Sequence, residues 1–342
     1  MRTVRILGGG LSGLALGIAL RARGVPAVVH EAMSYPRQKV CGEFLGGLDP
    51  EVADVLGLEE ILQRTGAPSL RATTWFRGGR HIYECTLPAP APGISRHALD
   101  RALAERFVAM GGDLVTGSRV DTAAAAEGDV LATGSPAHGT PRWVGLKLHV
   151  RGWPDGPDLE MHLGNGAYAG VSRIESGARN VCGLFNRDLV KGGGGMTGAL
   201  RRAGLGRLAD RVDAADVVDG STASCVLPRF GRRPAEEHST PALPLGDRHA
   251  MIPPFTGHGM AMALERGVVA AGPLESWATE RASWTSTRRA FLAADRCRFG
   301  RRVAVACALH PVLLHPWGSS VLGILCAWRA LPFDALYRLT HH

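Results

Sequence analysis

VRILGGGLSGLALGIALRARGVPAVVHE, residues 4–31, is the stretch from which the fold is read. An apolar run, Val4 to Leu7, leads straight into Gly8-x-Gly10-x-x-Gly13, and an alanine- and leucine-rich helical stretch then leads to a second apolar run closed by Glu31. The order is strand, tight turn, helix, strand. Gly8 permits the turn, Gly10 lets a pyrophosphate approach the backbone, and Gly13 lets the helix pack against the strand. Leu11 and Ser12 open the helix, whose first N–H groups and positive dipole end suit phosphate. Glu31 is placed to accept from a ribose hydroxyl. A lone GxGxxG says little in a chain with 45 glycines; its flanking strands, helix and terminal acid make it a dinucleotide-binding unit.

Composition narrows the rest. The 342 residues allow two domains, or one with a large insertion. No apolar stretch is long enough to span a bilayer, and a strand beginning by residue 4 leaves no room for a signal peptide. Seven scattered cysteines include no CxxC pair, so no metal site is expected and a reducing cytoplasm fits. The net charge of +8 comes almost wholly from arginine. It is spread out and lacks aromatic interleaving, which argues against nucleic acid.

Along the chain, strand and helix signals alternate over the first 65 residues. ATTWFRGGRHIYECTL reads as a hairpin turning at Gly78-Gly79. Helix is expected from Arg96 to Met110, and strands at Asp113–Thr116 and Asp129–Ala132. From about 140 to 235 the pattern is β-rich, with Gly192 to Gly195 a flexible loop. From Met260 onward it is helical, broken by prolines. The expected fold class is α/β. A discontinuous Rossmann-type dinucleotide-binding domain (1–68, 93–136 and 240–285) carries an inserted antiparallel β-sheet substrate domain (69–92 and 137–239). C-terminal helices (286–342) complete it.

Three more motifs stand in order: Pro36-Arg37-x-Lys39-Val40-Cys41-Gly42-Glu43-Phe44, Val130-Leu131-Ala132-Thr133-Gly134, and Pro244-Leu245-Gly246-Asp247 followed by Pro253-Pro254-Phe255-x-Gly257-x-Gly259-Met260. With the opening unit, residues 1 to about 275 resemble the FAD-dependent oxidoreductases of the para-hydroxybenzoate hydroxylase fold, and within them the geranylgeranyl reductase-like branch. The resemblance implies FAD as cofactor and NAD(P)H as a visiting reductant. It places Gly246 and Asp247 on the ribityl chain and Gly134 near the cofactor. It sets Pro254, Gly257, His258, Gly259 and Met260 at the flavin edge, with Arg96 reaching the FAD. Arg37 and Lys39 suit phosphate or substrate. Cys41 and His258 are the candidate catalytic groups, as thiol and as proton donor.

Departures from relatives narrow the chemistry. Gly79-Arg80 stands where flavin halogenases keep a lysine, and no WxWxIP segment is present. The YxWxFP-type segment of geranylgeranyl reductases is reduced to Tyr168 in YAGVSR, with Tyr168 and Arg173 able to face a ligand. The expected activity is monooxygenation of a lipophilic or aromatic small molecule. The alternatives are carbon–carbon double-bond reduction and non-redox isomerisation or cyclisation. The apolar stretch 303–336 suggests short helices over the core, with a peripheral membrane contact open through Trp317, Trp328, Arg329 and Arg338.

Overall fold

The computed structural model describes residues 1–135, 141–227, 229–233 and 240–315. The opening unit is β1 (Val4–Leu7), α1 (Leu11–Ala22) and β2 (Ala27–His30), with β1 and β2 parallel and Ile6 opposite Val29. α2 (Pro50–Leu56) starts where Asp49 accepts from the Glu51 N–H, and it ends at Gly57 in the left-handed region; α3 (Leu58–Thr65) follows. β3 (Ser69–Arg77) and β4 (Arg80–Pro92) form the hairpin. Ser95 caps α4 (Arg96–Ala109), accepting from Ala98 N–H at 3.0 Å, before β5 (Asp113–Val115) and β6 (Asp129–Leu131). Four long strands come next: β7 (Trp143–Arg151), β8 (Leu159–Gly164), β9 (Ala167–Arg173) and β10 (Arg179–Asn186). Then come α5 (Arg187–Lys191), α6 (Gly195–Arg202), α7 (Gly206–Asp213), β11 (Asp216–Val217), β12 (Ala223–Leu227), β13 (Gly231–Arg232), β14 (Leu243–Pro244) and β15 (Ala250–Met251). Two long helices, α8 (Gly259–Ala278) and α9 (Trp284–Leu314), complete the described chain.

The first sheet is parallel throughout, in the order β14-β6-β1-β2-β5, and draws its strands from three separate stretches. Its core includes the buried faces of α1, α4 and α8. Helix α8 comes so close to α1 that a Cβ on Gly267 would press into the Ser12 carbonyl. The second sheet runs β11-β7-β10-β9-β8-β3-β4, with β12 also paired to β7. On the buried face of α9, Asp295 accepts from Arg266 (2.8 Å) and Arg232 (2.6 Å), and His249 sits 3.1 Å away. Arg266 also donates to the Ala250 carbonyl at 2.6 Å, which anchors the segment just after Asp247.

Three features differ from the sequence reading. The stretch read as β-rich contains α5, α6 and α7. Met196, Ala199, Leu200, Leu208, Ala209 and Val212 cover one face of the second sheet, a helical spacing diluted by surrounding Gly and Arg. The inserted sheet is not wholly antiparallel: β3 and β8 pair in parallel, Trp75 opposite Met161, because the hairpin and the later strands join in one sheet. Pro273 and Pro311 lie inside helices and do not end them, as packing against neighbours outweighs one lost hydrogen bond. Residues 316–342, including Trp317, Trp328, Arg329 and Arg338, lie outside the described residues. Among those described, no helix is long and apolar enough to cross a membrane.

Candidate active site

The three motif glycines do different jobs. Gly8 has φ +116°, and a Cβ there would collide with the Ala132 carbonyl; a Cβ at Gly13 would collide with the Gly8 carbonyl. Both serve the turn and the close helix. Gly10 is different. It has φ −86° and ψ −173°, which any residue adopts. A Cβ added there meets nothing nearer than Lys39 Nζ at 3.7 Å. The protein's own packing does not require glycine at this position, so the space beside it is available to a ligand.

Glu31, 3% exposed, closes the same end. It accepts from Gly9 N–H at 2.8 Å and Met33 N–H at 3.0 Å, and Arg37 approaches it at 3.3 Å. The Tyr35 hydroxyl donates to the Gly9 carbonyl. These bonds hold the carboxylate and the turn in one orientation.

A cavity of about 1550 Å³ opens here. That exceeds the roughly 300–1,000 Å³ of a drug-sized ligand pocket, leaving room for a dinucleotide and a second molecule. Gly8, Gly10, Leu11, Ser12, Glu31, Arg37, Arg96, Gly134, Gly246, Asp247, Pro254, Gly257, Gly259 and Met260 all lie on its wall. Gly13 lies behind the turn. Asp247 opens onto the cavity but sits deep, so burial raises its pKa against the pull of Arg266, Arg96 and Arg233. Asp247→Ala should weaken cofactor binding about tenfold or more, as a charged acceptor is lost. Fluorescence titration measures this, and an unchanged dissociation constant would remove Asp247 from the site.

Between the turn and the second sheet runs the Lys39–Phe44 strand of chain. Lys39 is 2.7 Å from Asp100, which also takes both arms of Arg96 at 2.7 and 2.9 Å. The Arg96 guanidinium lies close enough to the Cys41 thiol to favour its ionised form. Burial pushes that thiol up more than Arg96 pulls it down, so it stays protonated. Glu43 has φ +54° and is fully buried. It faces Lys147 at 3.0 Å, His149 at 2.6 Å and the Arg96 N–H at 3.0 Å. Asn180 and Ser172 donate to the Cys41 and Gly42 carbonyls. The second sheet thereby holds the segment that carries the thiol.

One expectation is corrected. His258, read as a proton donor beside the flavin, is 0% exposed, and both ring nitrogens are shut off from the cavity. Its position just before α8 turns the imidazole into the protein while Gly257 and Gly259 face the cavity. Arg173 pairs with Asp158 at 3.1 Å and lies off the wall, as does exposed Arg80. Tyr168 is on the wall, and its hydroxyl accepts from the Phe255 N–H at 3.1 Å.

Sequence reading quoted Glu43 in a motif but gave it no role, and it missed Asp100, Lys147 and His149. The visible signal was Lys147 and His149 alternating with leucine and valine in GLKLHV: two polar groups on a face that must be buried. It also missed the far wall, where Trp75, Met161, Leu184, Leu227, Leu309 and Leu313 gather from four strands and α9. Behind that wall, His310 is enclosed by Trp143, Tyr168, Phe230 and Phe255. Burial, helped by Arg142, lowers its pKa from 6.5 to about 4. A depressed histidine contributes stability above pH 6.5 that is lost as pH falls toward 4, because the unfolded chain takes the proton first. The urea midpoint should therefore drop between those values, and His310→Gln should flatten the drop; an unaltered slope would count against it.

Residues 1–136 match the FAD binding domain family. No curated protein matches the chain in sequence. Among solved structures, the flavin-dependent brominase Bmp2 superposes with TM-score 0.74 at 17% identity, over 99% of this chain and 94% of that one. FqzB superposes with TM-score 0.70 at 17% identity, over 98% and 93%. PqsL of P. aeruginosa in complex with 2-aminobenzoylacetate superposes with TM-score 0.67 at 16% identity, over 92% and 97%. At these identities the likeness is one of fold. The chain carries an FAD-binding domain in the fold of flavin-dependent monooxygenases, and FAD is its cofactor.

Proposed function

Taking the chain as an FAD-dependent oxidoreductase, we propose that it is an NAD(P)H-driven monooxygenase acting on a hydrophobic or aromatic small molecule. The observation that carries this reading is a continuous cavity, which runs from the Gly10 turn past the start of α8 to an apolar wall. The residues present fit FAD, since the open space beside Gly10 suits a pyrophosphate and the deep carboxylate of Asp247 suits sugar hydroxyls. When bound, FAD supplies hydride acceptance from NAD(P)H and transfer of electrons to oxygen.

The chain's own residues do the rest. The start of α1 offers N–H groups to phosphate. Glu31, already oriented by Gly9 and Met33, accepts from the ribose. Gly257 and Gly259 let the start of α8 come close to the ring edge, where its dipole favours negative charge. Arg96, fixed by Asp100, adds a positive charge beside Cys41. The apolar wall keeps water from the reacting position.

A second reading, reduction of a carbon–carbon double bond as in the geranylgeranyl reductase-like branch, is favoured by Cys41. A protonated thiol on the cavity wall can supply a proton. Measuring NADPH oxidation and oxygen uptake together, with candidate substrates, separates these. Substrate-dependent consumption of both supports the monooxygenase. Turnover that persists without oxygen transfers the case to the reductase. Product formed with no net NADPH loss points to an isomerase.

A further inference from the structure

We propose that the end of the cavity away from the Gly10 turn binds an uncharged lipophilic substrate whose one polar group, a carbonyl or hydroxyl oxygen, accepts a hydrogen bond from Tyr168. This deepens the functional reading above and rests on it.

Charge on the cavity wall is segregated. Every charged side chain there except Glu160 belongs to the domain built on the parallel sheet. Glu160, on β8, is already engaged: Arg211 grips it at 2.7 and 2.9 Å and His162 lies 2.8 Å away. The far wall offers Trp75, Met161, Leu184, Leu227, Leu309 and Leu313. A carboxylate seated against it would give up its water and meet no cation among the described residues, a cost far above what an apolar contact returns. Arg142, behind that wall, is exposed and lies over the Trp143 ring, off the cavity. His310, behind Tyr168, stays neutral near pH 7.

Tyr168 adds a buried polar donor to that wall, besides the Thr73 and Ser224 hydroxyls on β3 and β12. It is 4% exposed, and its ring is fixed edge-on by Phe255 at 6.3 Å and His310 at 6.1 Å. Its oxygen accepts from the Phe255 N–H, and among the described residues nothing accepts its own proton. Burial holds the phenol well above its ordinary range, so it remains a donor. Phe255 belongs to the loop that leads into α8. The free donor is therefore tied to the segment nearest the cofactor edge. Cys182 and Cys225 share the wall, but thiols are weak donors.

Three probes of one shape test the idea: 2-acetonaphthone, which is neutral with an acceptor; 2-ethylnaphthalene, which is neutral without one; and 2-naphthoate, an anion. Binding to the FAD-loaded protein is read from flavin difference spectra, and in parallel from tryptophan fluorescence with and without FAD. The ketone should bind at least about thirtyfold tighter than the carboxylate. Tyr168→Phe should weaken the ketone roughly five- to tenfold and leave 2-ethylnaphthalene unchanged. Naphthoate binding as tightly as the ketone overturns the inference. So does failure of both neutral probes, or a ketone indifferent to Tyr168→Phe. Failure to take up FAD, with the probe ranking kept in fluorescence, sinks the functional reading alone.

Discussion

A Gly10→Val protein should be purified folded and colourless, with FAD affinity reduced by at least about a hundredfold. The reason lies in the contrast among the glycines. Gly10 has an ordinary extended backbone, and a Cβ there meets only Lys39 Nζ at 3.7 Å. The valine methyl groups would occupy the space open to a pyrophosphate and would disturb little else. Thermal unfolding of the cofactor-free protein should therefore match the parent. Gly8→Ala is the control. At φ +116°, against the Ala132 carbonyl, it strains the fold itself and should lower the melting temperature without FAD. Stoichiometric FAD in the Gly10→Val protein would place the cofactor somewhere other than this turn.

Glu43→Ala should destabilise the chain by about 3–5 kcal/mol, the cost of leaving a buried charge without its partner. Lys147 and Glu43 both have fully buried side chains 3.0 Å apart. Removing the carboxylate strands the ammonium, leaves His149 without its 2.6 Å partner, and frees the Arg96 N–H at the start of α4. Urea unfolding followed by circular dichroism measures the loss. The double variant Glu43→Leu with Lys147→Met should recover much of it, since an apolar pair of similar volume needs no compensation. A single variant as stable as the parent would show that the pair carries no weight in the fold. FAD retention in the double variant reads the separate effect on the Cys41 segment.

The opening strand, turn and helix were legible because everything that shapes them is local. An apolar run, three glycines and an alanine-rich stretch determine their own hydrogen bonding within 28 consecutive residues. Gly246-Asp247 and Gly257-x-Gly259 stand out in the sequence for the same reason, and both segments line the cavity. His258 was misread because its neighbours on both sides face the cavity while its own ring does not, and a motif does not record which way one side chain turns. The helices α5 to α7 were hidden by glycine and arginine, although their apolar spacing was present.

By itself, then, the chain's order of residues determined a strand–turn–helix unit of nucleotide-binding type at its start, a glycine-rich loop near residue 255, and β-rich matter between them. Only the tertiary structure decided that the hairpin and the later strands share one sheet, with β3 parallel to β8. It also decided that Glu43 meets Lys147 and that Tyr168 stands among apolar side chains with a proton to give. Short-range backbone preferences follow from neighbouring residues. Which distant faces exclude water together depends on how the whole chain packs, and in this protein that packing builds the apolar wall of the cavity.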